Sequence, residues 1–335
     1  MTATAKTVLV TGATGSVGMN VCQKLLECGY SVVMLARHPP KEEEISELQK
    51  GPGKLSICLC DVLKETSIKE AILHHGVTDI IHSAAVTPGV ESDLSQARST
   101  IEINCIGTIS VLNAALDSHL SGRFLMLGSI SAYGKTALTE STLSEGVSVA
   151  DPRVIYEISK FAAERIFLRY REAARLNGCV VRIGDVYGPW EHDSGVRPHM
   201  SLPYQAVSLA HAGKRAVFSR DYSGEWIYAP ELAAAICSIL EAPVLNYDVY
   251  PLSSGNRWKI SEWCRCLKEK FPAFEYEHAT DISAVNMQIN QPTDNGAMSI
   301  QRLFEDTGFV MKYGLRESFT HYMKWLDDHP HYLDQ

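Results

Sequence analysis

None of the chain's nine cysteines, an odd number, forms a CxxC pair, which argues against a zinc knuckle and against a disulfide framework. The closest pairs, Cys58/Cys60 and Cys264/Cys266, have CxC spacing; read as strands, that spacing turns both thiols to one face, as for buried thiols in a reducing compartment. No dense Lys or Arg run is present, and the formal net charge is −8. A polyphosphate backbone finds no electrostatic footprint here, so no nucleic-acid partner is expected. No apolar run approaches the roughly 18 residues of a membrane span. The opening MTATAKTVLV enters a strand pattern at once, without room for a secretory leader. The expectations are no membrane association and a cytoplasmic location. Low-complexity tracts and internal repeats are also missing.

What is present suits a large core: 335 residues, 45% hydrophobic and 21% charged, within the range of one or two lobes. From residue 6 to about 183, the runs TVLV, SVVML, LSICL, DIIHSA, RFLML and CVVRI alternate with helical stretches. Such alternation predicts parallel strands joined by crossover helices, and near-continuous apolar runs predict strands covered on both faces. The fold class is therefore α/β, a doubly wound parallel sheet of Rossmann type with a smaller C-terminal substrate-binding lobe. The expected division is 1–184 for the dinucleotide-binding part, with a return to it around 226–253, and 185–335 mainly for the lobe.

The strongest local signal is TGATGSVG at 11–18, directly after a strand and opening a helix. Gly12 permits the tight turn, Gly15 lets backbone approach a pyrophosphate, and Gly18 lets helix and strand pack closely; Thr14, Ser16 and Val17 complete the loop against the helix N-terminus. The second strand ends VVMLARHPP, with Ala36 where an acid would accept the ribose hydroxyls of NAD, followed by Arg37, a cation suited to a 2′-phosphate. NADP is thus favoured over NAD, unless Arg37 is only a solvated loop charge. Asp61, with Val62 beside it, follows the third strand; it could meet the adenine or cap the helix starting near Lys64.

Tyr156 and Lys160 lie four apart in VIYEISKFAAE, so a helix projects both from one face. A phenol, with an ordinary pKa near 10, becomes a workable general base when an ammonium and an oxidised nicotinamide favour its anion.

With TGATGSVG, CDV, HSAA at 82–85, NCIGT at 104–108, GSISAYG at 128–134, YEISK, RIGDVYGP at 182–189 and EWIYAPELAAAI at 225–236, the chain resembles the extended short-chain dehydrogenase/reductase family over nearly its whole length. That resemblance implies that Ser129 hydrogen-bonds the reacting oxygen, with Ser131 competing for the role. It also implies Tyr156 as acid/base, Lys160 as a ligand of the nicotinamide ribose, and Asn104 as a supporting helix residue. Ala84 falls among the cofactor residues and Thr87 at the mouth of the nicotinamide pocket. Arg197, His199, Tyr204 and Trp226 fall around the substrate. A homodimer through the helix of Tyr156 and the helix around Ala97–Leu116 is implied as well.

Departures narrow the substrate. Dehydratases of the family carry an acidic pair where Ile130 and Ser131 stand here. Where nucleotide-sugar enzymes usually place Asn and Arg near the diphosphate, this chain has Asp185 and Gly224; a carboxylate there repels and an absent Arg removes a bidentate donor. Arg220 could substitute from a shifted loop. The tail WLDDHPHY lacks the spacing of a metal site, so no metal is expected. The reaction expected is hydride transfer between nicotinamide and a small hydroxyl or carbonyl substrate (sugar, sugar acid or hydroxy acid); the alternative is a sugar or nucleotide-sugar epimerase that retains its cofactor.

Overall fold

The computed structural model describes residues 6–89, 92–192, 200–289 and 292–333. The first half of the chain runs β1 (Thr7–Thr11), α1 (Ser16–Glu27), β2 (Ser31–Ala36), α2 (Glu42–Leu48), β3 (Lys54–Leu59), α3 (Glu65–His75) and β4 (Asp79–His82). A long helix follows, made of α4 (Ala97–Ile101), a π-helical turn (Glu102–Ile106) and α5 (Gly107–Asp117). Then come β5 (Phe124–Ser129), a 3-10 turn (Ile130–Tyr133), α6 (Thr136–Thr139), β6 (Thr142–Leu143), α7 (Ile155–Ala174) and β7 (Gly178–Ile183). The second half has short strands β8 (Val186–Tyr187), α8 (Leu202–His211), β9 (Ala216–Phe218), β10 (Ser223–Gly224) and β11 (Ile227–Tyr228). It continues with α9 (Ala229–Glu241), β12 (Val249–Leu252), β13 (Trp258–Lys259), α10 (Ile260–Lys270), β14 (Tyr276–His278), β15 (Ala297–Met298), α11 (Gln301–Thr307) and α12 (Leu315–Asp328).

Seven strands form one sheet in the order β12-β7-β5-β4-β1-β2-β3, all paired in parallel. The chain builds outward from β1 to β3, then crosses back to β4. The crevice at the carboxyl ends of β1 and β4 is the topological switch point, where such sheets bind ligands. All six sequence-expected runs are strands of this sheet, and the return from the second half is β12.

Both faces are covered, as the apolar runs require. Val8, Val10, Val32 and Met34 face one side with Leu25 and Leu232 of α1 and α9. Leu9, Val33 and Leu35 alternate to the other side with Ile68, Val111 and Phe167 of α3, α5 and α7. The first cluster continues without a break into the second half, through Tyr187 and Trp263 to Tyr322. Arg123 ties the halves further: its guanidinium donates to the carbonyls of Ile239 at 2.7 Å and Leu240 at 3.0 Å, and to that of Ala242, satisfying the end of α9 with a cation.

Two sequence expectations change. Cys264 and Cys266 lie on α10, not a strand, and both are buried there; positions i and i+2 of a helix do not share a face. Among the described residues, the stretch Ala97–Asp117 is long and apolar enough to cross a membrane by length and composition. A search for uninterrupted apolar runs passes over it, because Arg98, Glu102 and Asn104 break the run. In the fold it packs against α3 and α7.

Candidate active site

The loop between β1 and α1 needs its glycines for steric reasons. Gly12 has φ +63°, and a Cβ there would stand 2.7 Å from Ala84 Cα, so the β4 loop can approach only glycine. A Cβ on Gly18 would stand 2.3 Å from the Gly12 carbonyl; that glycine seats α1 against the loop. Gly15 is exposed and begins α1 without any side-chain cap, and no acidic residue lies in the first turn, which includes Ser16 and Val17. An anion would satisfy these open N–H groups, so the loop fits a dinucleotide pyrophosphate. Thr14 lies half-buried beside them. At the end of β2, Ala36 is buried and Arg37 exposed, with no hydrogen bond or ion pair among the described residues. Asp61 spends one carboxylate oxygen on the Leu63 N–H at 2.9 Å, a local turn ahead of α3 and not its cap. Val62 is buried against Gly107.

Ser129 ends β5. Its Oγ accepts the Ser131 N–H at 3.1 Å, while its own hydrogen has no acceptor among the described residues. That leaves the Ser129 hydroxyl oriented and free to donate; Ser131, half-buried, supplies the backbone that orients it. Tyr156 is the second residue of α7, half-exposed, and its hydroxyl makes no hydrogen bond within the described residues. One turn on, Lys160 is buried and donates to the Leu127 carbonyl at 2.8 Å, two residues before Ser129 on β5. Burial pushes the Lys160 ammonium below its ordinary range, and the charges of Tyr156, Glu164 and Cys105 pull it back up. The next turn is locked by Glu164, which takes a bidentate pair from Arg182 of β7 at 2.6 and 2.7 Å. The Arg182 guanidinium lies over the Tyr133 ring at 4.4 Å, and the Tyr133 hydroxyl donates to Glu145. Helix, strand and the turn after Ser129 are thereby held in one frame.

Asn104 sits within the π-helical turn, the kind of helix irregularity that gathers at functional sites. Its amide is bonded on both sides: Oδ1 accepts Val86 N–H at 2.9 Å, and Nδ2 donates to the Val86 carbonyl at 3.1 Å and to Ser159 Oγ at 2.9 Å. Both Nδ2 hydrogens are thus spent on the protein, and Asn104 holds the loop of Ala84 and Thr87. Asp93, which nothing in the sequence marked, accepts the Ile155 N–H at 2.9 Å, beside Tyr156. Glu157 accepts the N–H groups of Arg153 and Val154 at 2.6 and 3.3 Å. Thr11, His82, Thr108 and Ser159 also belong to the site's hydrogen-bonded frame; they lie within TGATGSVG, HSAA, NCIGT and YEISK, but nothing in those motifs gave them a role.

On the substrate side, Asp185 lies two residues beyond the end of β7, whose Ile183 pairs with Ser129. Its carboxylate accepts the Tyr222 hydroxyl at 3.0 Å. Gly224 does not leave a vacant arginine position: a Cβ there would stand 2.7 Å from the Tyr222 ring and 3.2 Å from Trp226. Arg220 is paired with Asp294 at 2.5 Å and donates to the Thr293 carbonyl at 2.9 Å, which argues against it as a spare phosphate donor. Tyr204 has a packing contact in the described structure. It is buried in the first turn of α8, with its hydroxyl on the Tyr332 carbonyl at 2.8 Å, because the aromatic C-terminus folds over that helix. Trp226 is likewise buried, 4.0 Å from the Trp258 ring centre. Arg197 and His199 lie outside the described residues. Among the described residues, no three His, Cys, Asp or Glu side chains group closely enough to hold a metal.

The family described as NAD dependent epimerase/dehydratase matches residues 8–251. A dihydroflavonol 4-reductase of Hordeum vulgare is 25% identical over 93% of this chain and 86% of its own length. A probable UDP-glucuronate 4-epimerase of Rhizobium meliloti (strain 1021) is 24% identical over 95% of this chain and 96% of its own. Among solved structures, UDP-glucose 4-epimerase from Thermotoga maritima, with UDP-glucose, superposes with a TM-score of 0.78 at 17% identity, covering 97% of this chain and 99% of that one.

Proposed function

Because the chain belongs to the NAD dependent epimerase/dehydratase family and is an NAD(P)-dependent enzyme of its extended short-chain type, we propose that it moves a hydride between nicotinamide and a small hydroxyl or carbonyl substrate: a sugar, sugar acid or hydroxy acid. The observation that carries this reading is the Tyr156 hydroxyl, unbonded among the described residues, one helical turn from buried Lys160. Bound nicotinamide would accept or supply the hydride. Tyr156 Oη exchanges the substrate's hydroxyl proton, the Lys160 ammonium stabilises the resulting anion, and the Ser129 O–H donates to the reacting oxygen. Arg37, exposed and unpaired among the described residues, supports NADP as the preferred cofactor.

The second reading is an epimerase that uses the same step twice and keeps its cofactor; the relatives named as epimerases favour it. The ring-filled space at Gly224 and the carboxylate of Asp185 favour a substrate without a nucleotide diphosphate. Net cofactor turnover separates the two. Purified protein is mixed with NADP or NAD and a panel of sugars, sugar acids, hydroxy acids and nucleotide sugars while nicotinamide absorbance is followed. Stoichiometric conversion is expected; a changed sugar without net conversion would make it an epimerase. Tyr156→Phe should keep cofactor binding and lower turnover by at least a hundredfold, and unchanged turnover removes Tyr156 from the chemistry.

A further inference from the structure

One hydrogen-bond chain runs behind the cofactor loop and joins it to the π-helical turn. Thr11 Oγ1 lies 2.8 Å from His82 Nδ1, and His82 Nε2 lies 3.0 Å from Thr108 Oγ1. Thr108 Oγ1 in turn donates to the Asn104 carbonyl at 2.6 Å. A carbonyl can only accept, so the single hydroxyl hydrogen of Thr108 is spent there, and Thr108 must accept from His82 Nε2–H. Neutral His82 then has Nδ1 free as an acceptor, and Thr11 donates its hydroxyl hydrogen to it. The two lone pairs of Thr11 Oγ1 remain for the N–H groups of Ser83 and Ala84, both at 3.2 Å. Every hydrogen in the chain has a fixed direction. His82 itself is buried, tilted against the Phe124 ring at 6.1 Å, and among the described residues the charge acting on it is that of Lys160.

We propose that His82, held as the Nε2–H tautomer by Thr108, is a positioning residue for the cofactor: it directs the Thr11 hydroxyl so that the Ala84 loop stays seated against Gly12. The consequence of breaking it is specific. Without an acceptor at 108, the buried Nε2–H is unsatisfied, and the ring gains by moving its proton to Nδ1, facing Thr11. Thr11 Oγ1 would then face three donors, from His82, Ser83 and Ala84, with two lone pairs, and its own hydrogen would lose its acceptor. One backbone bond to Thr11 Oγ1 must give way; the Ser83 N–H keeps the Thr11 carbonyl at 3.3 Å, whereas the Ala84 N–H has no second acceptor among the described residues, and this is the loop that Gly12 touches.

Two near-isosteric substitutions separate hydrogen bonding from packing. Thr108→Val keeps the shape and removes the hydroxyl; Thr108→Ser keeps the hydroxyl and removes the methyl. Each protein is titrated with NADPH by nicotinamide fluorescence, and the ring nitrogens of His82 are read by 15N NMR, assigned against His82→Gln. The wild type and Thr108→Ser should show the Nε2–H tautomer and the same affinity within about twofold. Thr108→Val should show the Nδ1–H tautomer and bind NADPH about tenfold more weakly, the loss expected for one buried hydrogen bond. An Nδ1–H or doubly protonated ring in the wild type overturns the proposal. So does Thr108→Val binding as the wild type does, or Thr108→Ser weakening as much as Thr108→Val. If His82→Gln does not fold, the two affinities decide the matter. None of these readings needs a substrate, so their failure is distinct from a failure of the Tyr156 mechanism.

Discussion

His82 is buried within the field of Lys160. Burial and the Lys160 charge push the His82 pKa from 6.5 down to about 3. In the unfolded chain the ring takes a proton as pH falls through 6.5; in the folded chain it does not until about 3. Across that window the unfolded state binds the extra proton, so stability is full above pH 6.5 and is lost as pH falls toward 3. The slope from this residue alone is about 1.4 kcal/mol per pH unit. Urea unfolding at a series of pH values, comparing the wild type with His82→Gln, should show the wild type losing its advantage on acidification by that difference in slope. Parallel curves would mean that the folded ring titrates normally.

The elements that carry the site are set by their ends. α7 starts at Ile155, where Asp93 takes the N–H at 2.9 Å, one residue before Tyr156. Asp93→Ala leaves that N–H without its partner, and we expect a loss of about 1 kcal/mol in unfolding free energy, as for other lost N-terminal caps. Turnover should fall more than stability accounts for, because the first turn carries the phenol; full turnover with unchanged stability would show that the contact does neither. The strands were readable in the sequence because a strand covered on both faces must be apolar at nearly every position, as Val8, Leu9 and Val10 are. The glycine loop was readable because only glycine survives the approach of Ala84 to Gly12. Helical spacing put Tyr156 and Lys160 on one face, and the resemblance to the extended short-chain family gave them their roles. The π-helical turn was not readable, since a single i+5 turn displaces the periodic pattern by only one residue within an otherwise ordinary helix. Neither was Asp93, whose partner lies 62 residues away. The contact of Tyr204 with the C-terminus was not readable, because an aromatic residue in a loop-rich segment looks the same whether it faces a substrate or a returning chain end. Cys264 and Cys266 were read as strand residues because two-residue spacing does not itself distinguish strand from helix; both are buried, but α10 turns them to different faces.

For the whole molecule, the face formed by the π-helical turn and α7 stands out. Ile106 is 47% and Ile158 40% exposed, on helical segments that pack against each other. We propose that two copies pair through this face, a symmetric contact that covers both side chains. Sedimentation should give twice the chain mass, and the double substitution Ile106→Arg with Ile158→Arg should halve it with the fold intact; a wild-type monomer at high concentration rejects the pairing. The core has a different bearing on how the molecule comes into being. The sheet face that holds Val8 and Val10 is closed by Leu232 of α9, and β7 is flanked by β12 at Val249–Leu252. A nascent chain that has reached residue 184 therefore has an open sheet edge and an uncovered apolar face. At roughly 5–20 residues per second of synthesis, it stays so for several seconds until β12 emerges. The most vulnerable moment of this protein belongs to translation, when a complete dinucleotide loop already exists on a sheet that cannot yet be finished.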